Sequence, residues 1–446
     1  MHRKALLTTL FAAALAAAFL GARTRPVRFP DAPAGPTFSN EVVRIFQAHC
    51  QSCHHAGDIA PFSLMTYGDA RPYASEIKLM TSTHQMPPWK PVTGCAQFAQ
   101  ARVLAQSDID VLAKWVDAGA PEGDRSQLPS PLLFDGAWSL GKPDLVLSYP
   151  ESYTPSSTGD TYRCFTIPAS LTSDHYVSAI DVHPGDRQTV HHVIAYIDTT
   201  GDSAKLDEQD PGPGYTCFGG PGFSITNSNA ATLGGWAPGA RPIALPDGVA
   251  MSLPAQSRVV LQVHYHPHGP APQADKSEIA IYFAKTPPTK LLRILPLINN
   301  SFTIPPGDSN YQVTAKFTVP FFADAHLWQI APHMHLLGRQ MTVQAALPNG
   351  KSQCLINIGD WDFNWQGLYM FDQAIPIPGG TTLSLEAHYD NSEDNVRNPN
   401  FPPKAVSWGE QTTDEMCIAF LGVTIDQENL ARGQTVDASW IPPIAQ

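Results

Sequence analysis

Charge is scarce in this chain. Only 15% of its 446 residues are charged, and acids outnumber Lys and Arg by 40 to 28, for a formal net charge of −12. That balance argues against nucleic acid as a partner, because phosphate binding needs a basic surface. Long apolar runs are scarce too. The stretch Ala5 to Leu20 alone approaches membrane length, and it is short and alanine-rich against the ~20 strongly apolar residues of a spanning helix. No complete Gly-x-x-x-x-Gly-Lys-Ser/Thr phosphate loop and no Gly-x-Ser-x-Gly elbow is present. The Gly-rich stretch Asp210 to Phe223 carries an acid and no lysine, so it reads as a loop.

Proline (42) and glycine (32) are plentiful, and hydrophobic residues make up 43%. The length suits about three domains, and the composition favours short strands and turns over long helices. Residues 1–22 read as a secretory signal: Met1-His2-Arg3-Lys4, an apolar core, then Gly21-Ala22. Cleavage near Ala22 is expected, with an uncleaved anchor as the alternative. The mature chain is then exported, periplasmic or extracellular, with no membrane span and with disulfides allowed. The seven cysteines leave at least one unpaired.

Residues 38–124 are expected to form a small all-α domain. Asn40 to Ala48 is periodic, with Val42, Val43, Ile45 and Phe46 apolar, and it runs into Cys50-Gln51-Ser52-Cys53-His54. Cys-x-x-Cys-His is the attachment pattern of c-type haem: two thiols add to the vinyl groups and the histidine binds the iron. A thioredoxin-like pair or half a zinc site leaves that histidine unexplained, and the chain has no second Cys-x-x-Cys. Cys50, Cys53 and His54 are therefore the expected haem residues of a cytochrome c-like domain. Met86, in Met86-Pro87-Pro88-Trp89, is the expected sixth ligand, with Met65, Met80 and His84 as competitors. Ser107 to Gly119 reads as the closing helix, with Ser107 as N-cap and Ile109, Leu112, Trp115 and Val116 on one face.

A linker over 125–141 precedes a change of period. Tyr176–Val182 partly alternates, and Ile279, Ile281 and Phe283 share a face. Two all-β antiparallel, jelly-roll-like sandwiches are expected over 142–286 and 287–446, with a boundary near Thr286-Pro287-Pro288-Thr289. Leu261-Gln262-Val263-His264-Tyr265 is echoed by Leu385-Glu386-Ala387-His388-Tyr389.

The chemistry centres on Ala331-Pro332-His333-Met334-His335-Leu336-Leu337-Gly338. On a strand, His333 and His335 point to one face and aim two imidazoles at one point, as a metal requires. Three other places can complete a site: His191-His192, His264 in Val263-His264-Tyr265, and Met416-Cys417. Imidazole suits both copper oxidation states and thioether suits Cu(I), so a three-histidine set and a His/His/Met set read as two coppers of unequal softness. His191 and His192 are adjacent and would face opposite ways on a regular strand, so the strand must bend or end there for both to bind. Spacing alone favours one ligand and one core histidine. His266 is a rival to His264. Met416 alone would be an ordinary core methionine. His183, His326 and His388 have no assigned role, His388 being the first candidate for a missed one.

The order of these motifs, with Gly235-Trp236-Ala237-Pro238-Gly239 and Leu245-Pro246-Asp247-Gly248-Val249 between them, resembles the copper type II, ascorbate-dependent monooxygenases. Those include peptidylglycine α-hydroxylating and dopamine β-monooxygenases. The resemblance covers roughly Leu140 to the C-terminus. It implies that His191, His192 and His264 bind an electron-storing copper, and that His333, His335 and Met416 bind the copper that meets O2 and a small organic substrate. It gives Gln262 a place between the sites. It implies a Cys354–Cys417 disulfide, leaving Cys95 free; Cys164 and Cys217 are a further candidate pair. The peptide hydroxylases' carboxylate-holding residues fall on Ala331, Ile418 and Phe420 here, so the pocket is expected to be apolar and closed to glycine-extended peptides. Electrons would come from ascorbate, or from a redox donor protein through the haem to the His191/His192/His264 copper. Two rivals are a non-catalytic haem and copper electron carrier, and a cupin-type single-metal sandwich; the latter wants a glutamate soon after His-x-His, and none occurs before Gly350.

Overall fold

The computed structural model describes residues 35–134, 136, 138–225, 232–266 and 271–443. The expected signal over 1–22 lies outside them.

The N-terminal segment folds as short helices: Phe38–Val42 continuing into Val43–His49, then Ala74–Ser82 and Gln106–Asp117. Their apolar faces meet in one core, where Trp115 lies edge-on to Phe46 at 6.3 Å. Ile109, Leu112 and Trp115 are the buried face of the last helix, at the spacing read from the sequence. Its start differs. Ala105 is the N-cap and its carbonyl accepts from Asp108 and Ile109, so Ser107 lies inside the first turn.

The rest is β-sheet. One five-stranded sheet runs Tyr215–Thr216, Thr161–Pro168, Arg258–Tyr265, Val190–Asp198, Thr232–Trp236. A second runs Leu145–Ser148, Glu278–Phe283, His175–His183, Val249–Leu253, Lys290–Leu291. Phe165, Val193 and Leu261 from the first share a core with Val177, Leu253 and Ile281 from the second. Two four-stranded sheets follow: Arg293–Ile298, Ile418–Ile425, Ala325–His333, Tyr369–Ile377; and Tyr311–Thr318, Thr382–Tyr389, Gly338–Ala346, Ser352–Ile358. They enclose a core that includes Ile330, Val343, Leu385 and Leu421. Almost every pairing is antiparallel; the two-residue strand Lys290–Leu291 is parallel to Val249–Leu253. The β-rich architecture agrees with the expected all-β regions.

The helical segment is laid against the sheets, not held at arm's length. Asp58 pairs with Arg187 at 3.0 Å, and Val92 N–H donates to Asn357 O at 2.8 Å. Phe98 bridges to Phe371 and enters the C-terminal core.

The disulfides correct one expectation. Cys164–Cys217 forms, but Cys354 bonds Cys95, and Cys417 is a buried free thiol. The reason is topological. Cys354 lies on the edge strand Ser352–Ile358, whereas Cys417 abuts Ile418–Ile425 in another sheet. The chain around Cys95 covers that open edge, with Pro91 bridging to Ile358, and so presents its thiol there. Disulfides suit an oxidising compartment, and among the described residues no helix is long and apolar enough to cross a membrane.

Candidate metal centre

His191 and His192 sit at the start of Val190–Asp198, beside Arg258–Tyr265. The register there runs Val190↔Tyr265, then His192↔His264. His191 is thus the extra residue of a β-bulge, which turns the strand so that adjacent side chains converge. The bulge supplies the bend that two neighbouring ligands need. The Nδ1 atoms of His191 and His192 are 3.2 Å apart, and the His264 ring centre is 5.0 Å and 4.8 Å from theirs.

Next to His264, buried Tyr265 donates to Asp275 at 2.7 Å, and Tyr149 donates to the same carboxylate. Asp275 also accepts from the N–H groups of Gly185 and Asp186 at 2.8 and 3.0 Å. This buried knot fixes the end of the His264 strand to the loop that leads into His191.

His333 is the last residue of Ala325–His333, and His335 lies just beyond it. The two-residue spacing therefore acts at a strand end, with the rings 5.1 Å apart and nearly perpendicular. Glu415, fully buried, shapes this turn: it accepts from His335 N–H at 2.9 Å, Leu337 N–H at 2.6 Å and Met416 N–H at 3.2 Å. Burial pushes its carboxyl up to about 8, against the pull of those N–H groups. All of this leaves Glu415 as a scaffold and not the metal-binding glutamate of a cupin. His335 Nδ1 faces Asp414 O at 3.1 Å and His333 Nδ1 faces Gln366 Oε1 at 2.5 Å. Both partners are acceptors, so each Nδ1 carries the proton and each Nε2 is free to bind a metal.

His191 and His192 of the first set and His333 and His335 of the second, with Gln262 and Met416, line one cavity of about 270 Å³. Ala331, Ile418 and Phe420 line it too, and among the described residues no Lys or Arg does. Gln262 donates to Cys217 O at 3.0 Å. Phe363 stacks on His191 at 4.5 Å and meets His335 edge-on at 5.8 Å, so one ring touches both sets.

The donors suit a metal. Buried ring nitrogens are left without a hydrogen-bond partner: His191 Nε2 and His264 Nδ1. Burial holds the imidazoles of His191 and His192 well below their usual range, and neighbouring imidazoles add to it. Burial also takes His333 down to about 4 and His335 to about 3. All four are neutral and ready to coordinate at neutral pH. Among the described residues no carboxylate, thiol or third imidazole completes a triad at His333 and His335; Met416 lines the same cavity.

Four residues here were not singled out from sequence: Asp160, Glu415, Phe363 and Gln366. Asp160 lies 3.3 Å from His264 Nε2 and 2.5 Å from His266 Nδ1, and accepts from Thr412 N–H at 3.2 Å. Burial alone would raise its carboxyl, but the two imidazoles and the Thr412 N–H hold it well below the usual range. His266 is thus drawn to Asp160, and not left at the open surface. His388 stays away from the centre, between Asn310 and Glu386.

In the helical segment, Cys50 and Cys53 are free thiols at the end of Val43–His49. His54 Nδ1 faces Phe62 O at 3.0 Å. Met86 follows Ala74–Ser82, its N–H donating to Met80 O.

The fold and the donors define a class: a β-sheet protein with histidines of two sets, His191 and His192 and His333 and His335, facing one cavity. Residues 290–424 match the model of a family described as "Copper type II ascorbate-dependent monooxygenase, C-terminal domain". That span holds His333, His335 and Met416, and the match supports copper as the metal. Solved structures overlap the chain loosely. The infectious bursal disease virus VP2 subviral particle is 10% identical, with 68% of this chain and 85% of that one covered at a TM-score of 0.17. The major capsid protein P2 of bacteriophage PM2 is 10% identical, with 65% and 99% covered at 0.25.

Proposed function

We propose that this protein is a copper-dependent monooxygenase that hydroxylates a C–H bond of a small apolar organic substrate. The overall change is substrate, O2, two electrons and two protons to alcohol and water. The observation that carries the reading is a single apolar-walled cavity lined by His191 and His192 of a three-histidine cluster and by His333, His335 and a buried Met416. His191, His192 and His264 would hold one copper; His333, His335 and Met416 would hold the other. Copper supplies O2 binding and one-electron storage. The chain's own residues give the rest: neutral imidazoles fixed by acceptors at Asp414 and Gln366, and walls at Ala331, Ile418 and Phe420 that exclude water and offer no cation to a carboxylate. We infer too that Cys50, Cys53 and His54 carry a covalent haem c, making residues 38–124 a cytochrome c-like domain. The His54 Nδ1 contact to Phe62 supports this, since ligating histidines commonly tie their other nitrogen to a carbonyl.

Metal analysis with O2 uptake tests the function. Two coppers per chain and substrate-dependent O2 uptake are expected, with no turnover of a glycine-extended peptide. One metal per chain, or zinc in both places after growth in copper-replete medium, refutes it. The haem is tested separately: its absorption should survive denaturation and acidified solvent, whereas extraction of the colour refutes the attachment.

A further inference from the structure

A second cavity, of about 110 Å³, lies beside the first. The two share wall residues, among them Gly234, Gly235, Gln329 and Gln366. Charge sets the second apart. Arg102 and Arg241 line it, and no Asp, Glu or Lys does. Among the described residues neither arginine pairs with a carboxylate, although other arginines of the chain do. Their hydrogen bonds go to neutral acceptors: Arg102 to Gly239 O at 2.6 Å and Arg241 to Ser52 Oγ at 2.5 Å. Two unneutralised guanidinium groups at one cavity are unexpected in a chain of net charge −12. Such groups suit an anion, and their planar forks suit oxygen pairs.

Gln366 says what the anion is for. It lines both cavities, and its Oε1 is the atom 2.5 Å from His333 Nδ1. A molecule in the second cavity is one amide side chain away from a candidate copper ligand, yet outside the space for substrate.

We propose that Arg102 and Arg241 form the binding site for the reductant, a small acidic ene-diol of the ascorbate type. The proposal rests on the copper reading above. Bound as its monoanion, the ene-diol loses one electron and one proton and becomes a radical. The electron converts one Cu(II) to Cu(I), and the proton goes to solvent through the mouth at exposed Arg241. Two such events supply the two electrons of one hydroxylation. The carboxylates of a haem at Cys50 and Cys53 offer similar oxygen chemistry, and the experiment separates the two.

The first arm is anaerobic equilibrium dialysis of labelled ascorbate against the full chain stripped of copper. Saturable binding is expected, weaker at high salt and reduced at least tenfold in Arg241→Gln. Arg102→Gln should do the same, and Arg102→Lys should restore part of the binding. Arg241 is exposed, so its variant reports even if the Arg102 variants fold poorly. The second arm follows loss of the Cu(II) electron-spin signal on mixing with ascorbate. The rate should saturate, with a tenfold higher half-saturation in Arg241→Gln, while a neutral hydroquinone reduces both proteins alike. Non-saturable dialysis, or equal half-saturation in both proteins, overturns the proposal. So does a result in which the variants alter haem content but not ascorbate binding, which would give the arginines to the haem. Absence of copper-dependent O2 uptake would overturn the monooxygenase reading instead, and the dialysis arm would still show whether the anion site exists.

Discussion

At the scale of the residue, the centre depends on groups that fix the ligands. Met416→Ile removes the thioether and keeps the bulk, so copper at His191, His192 and His264 should remain while the second copper and hydroxylation are lost; metal counting and O2 uptake check this. Glu415→Ala leaves three buried N–H groups without an acceptor. A loss of roughly 2–4 kcal/mol in denaturant unfolding is expected, together with weaker copper binding at His333 and His335. The pH dependence of the copper-free protein follows from the same burial. His333 and His335 stay neutral when folded down to about 4 and about 3, whereas in the unfolded chain they take protons below ~6.5. Between those limits the unfolded state binds more protons at these two histidines, so their contribution to stability rises with pH and levels off above ~6.5. The rise from pH 4 to 6.5 should be smaller by roughly 2–3 kcal/mol in His335→Phe, read by urea unfolding at each pH.

At the scale of the element, much of the site was legible and some was not. Histidines two apart and a lone histidine in an apolar strand pointed to metal chemistry by residue type, while the place of Met416 and the grouping of the ligands came from the resemblance. The adjacency of His191 and His192 raised the right difficulty, that a regular strand cannot use both, and the β-bulge at that point resolves it. What could not be read is what arrives from far along the chain. Asp160, Phe363 and Gln366 are ordinary residues until three segments meet. The Cys354 pairing failed for a related reason: which strand is an edge, and what covers it, is a property of the sheet order. The Asp275 knot makes an element-scale prediction. Asp275→Ala strands two buried tyrosine hydroxyls and two N–H groups, so a loss of about 3–5 kcal/mol is expected. Tyr265→Phe should cost only about 1 kcal/mol and should lower affinity for the first copper more than for the second, read by competitive chelation.

At the scale of the whole molecule, the helical segment belongs to the centre's surroundings. It touches one β region at Arg187 and Arg241 and the other along residues 91–99. Cys95→Ser should therefore lower the unfolding midpoint of the C-terminal region as well as of the helices. The chain-entropy argument puts the loss at up to about 5 kcal/mol for so long a loop, less where the surrounding contacts persist.

That bond also sets an order of events in the life of the chain. Its two cysteines are 259 positions apart, so Cys95 is synthesised well before the partner that closes it. The Ser352–Ile358 strand must already be an edge, and the four-stranded sheet behind it assembled, before Cys95 has a partner at the right place. In the interval Cys95, Cys354 and the pair at Cys50 and Cys53 are all open thiols in one chain. Premature oxidation would join Cys95 to Cys50 or Cys53, its nearest cysteines in the sequence, and leave Cys354 without its partner.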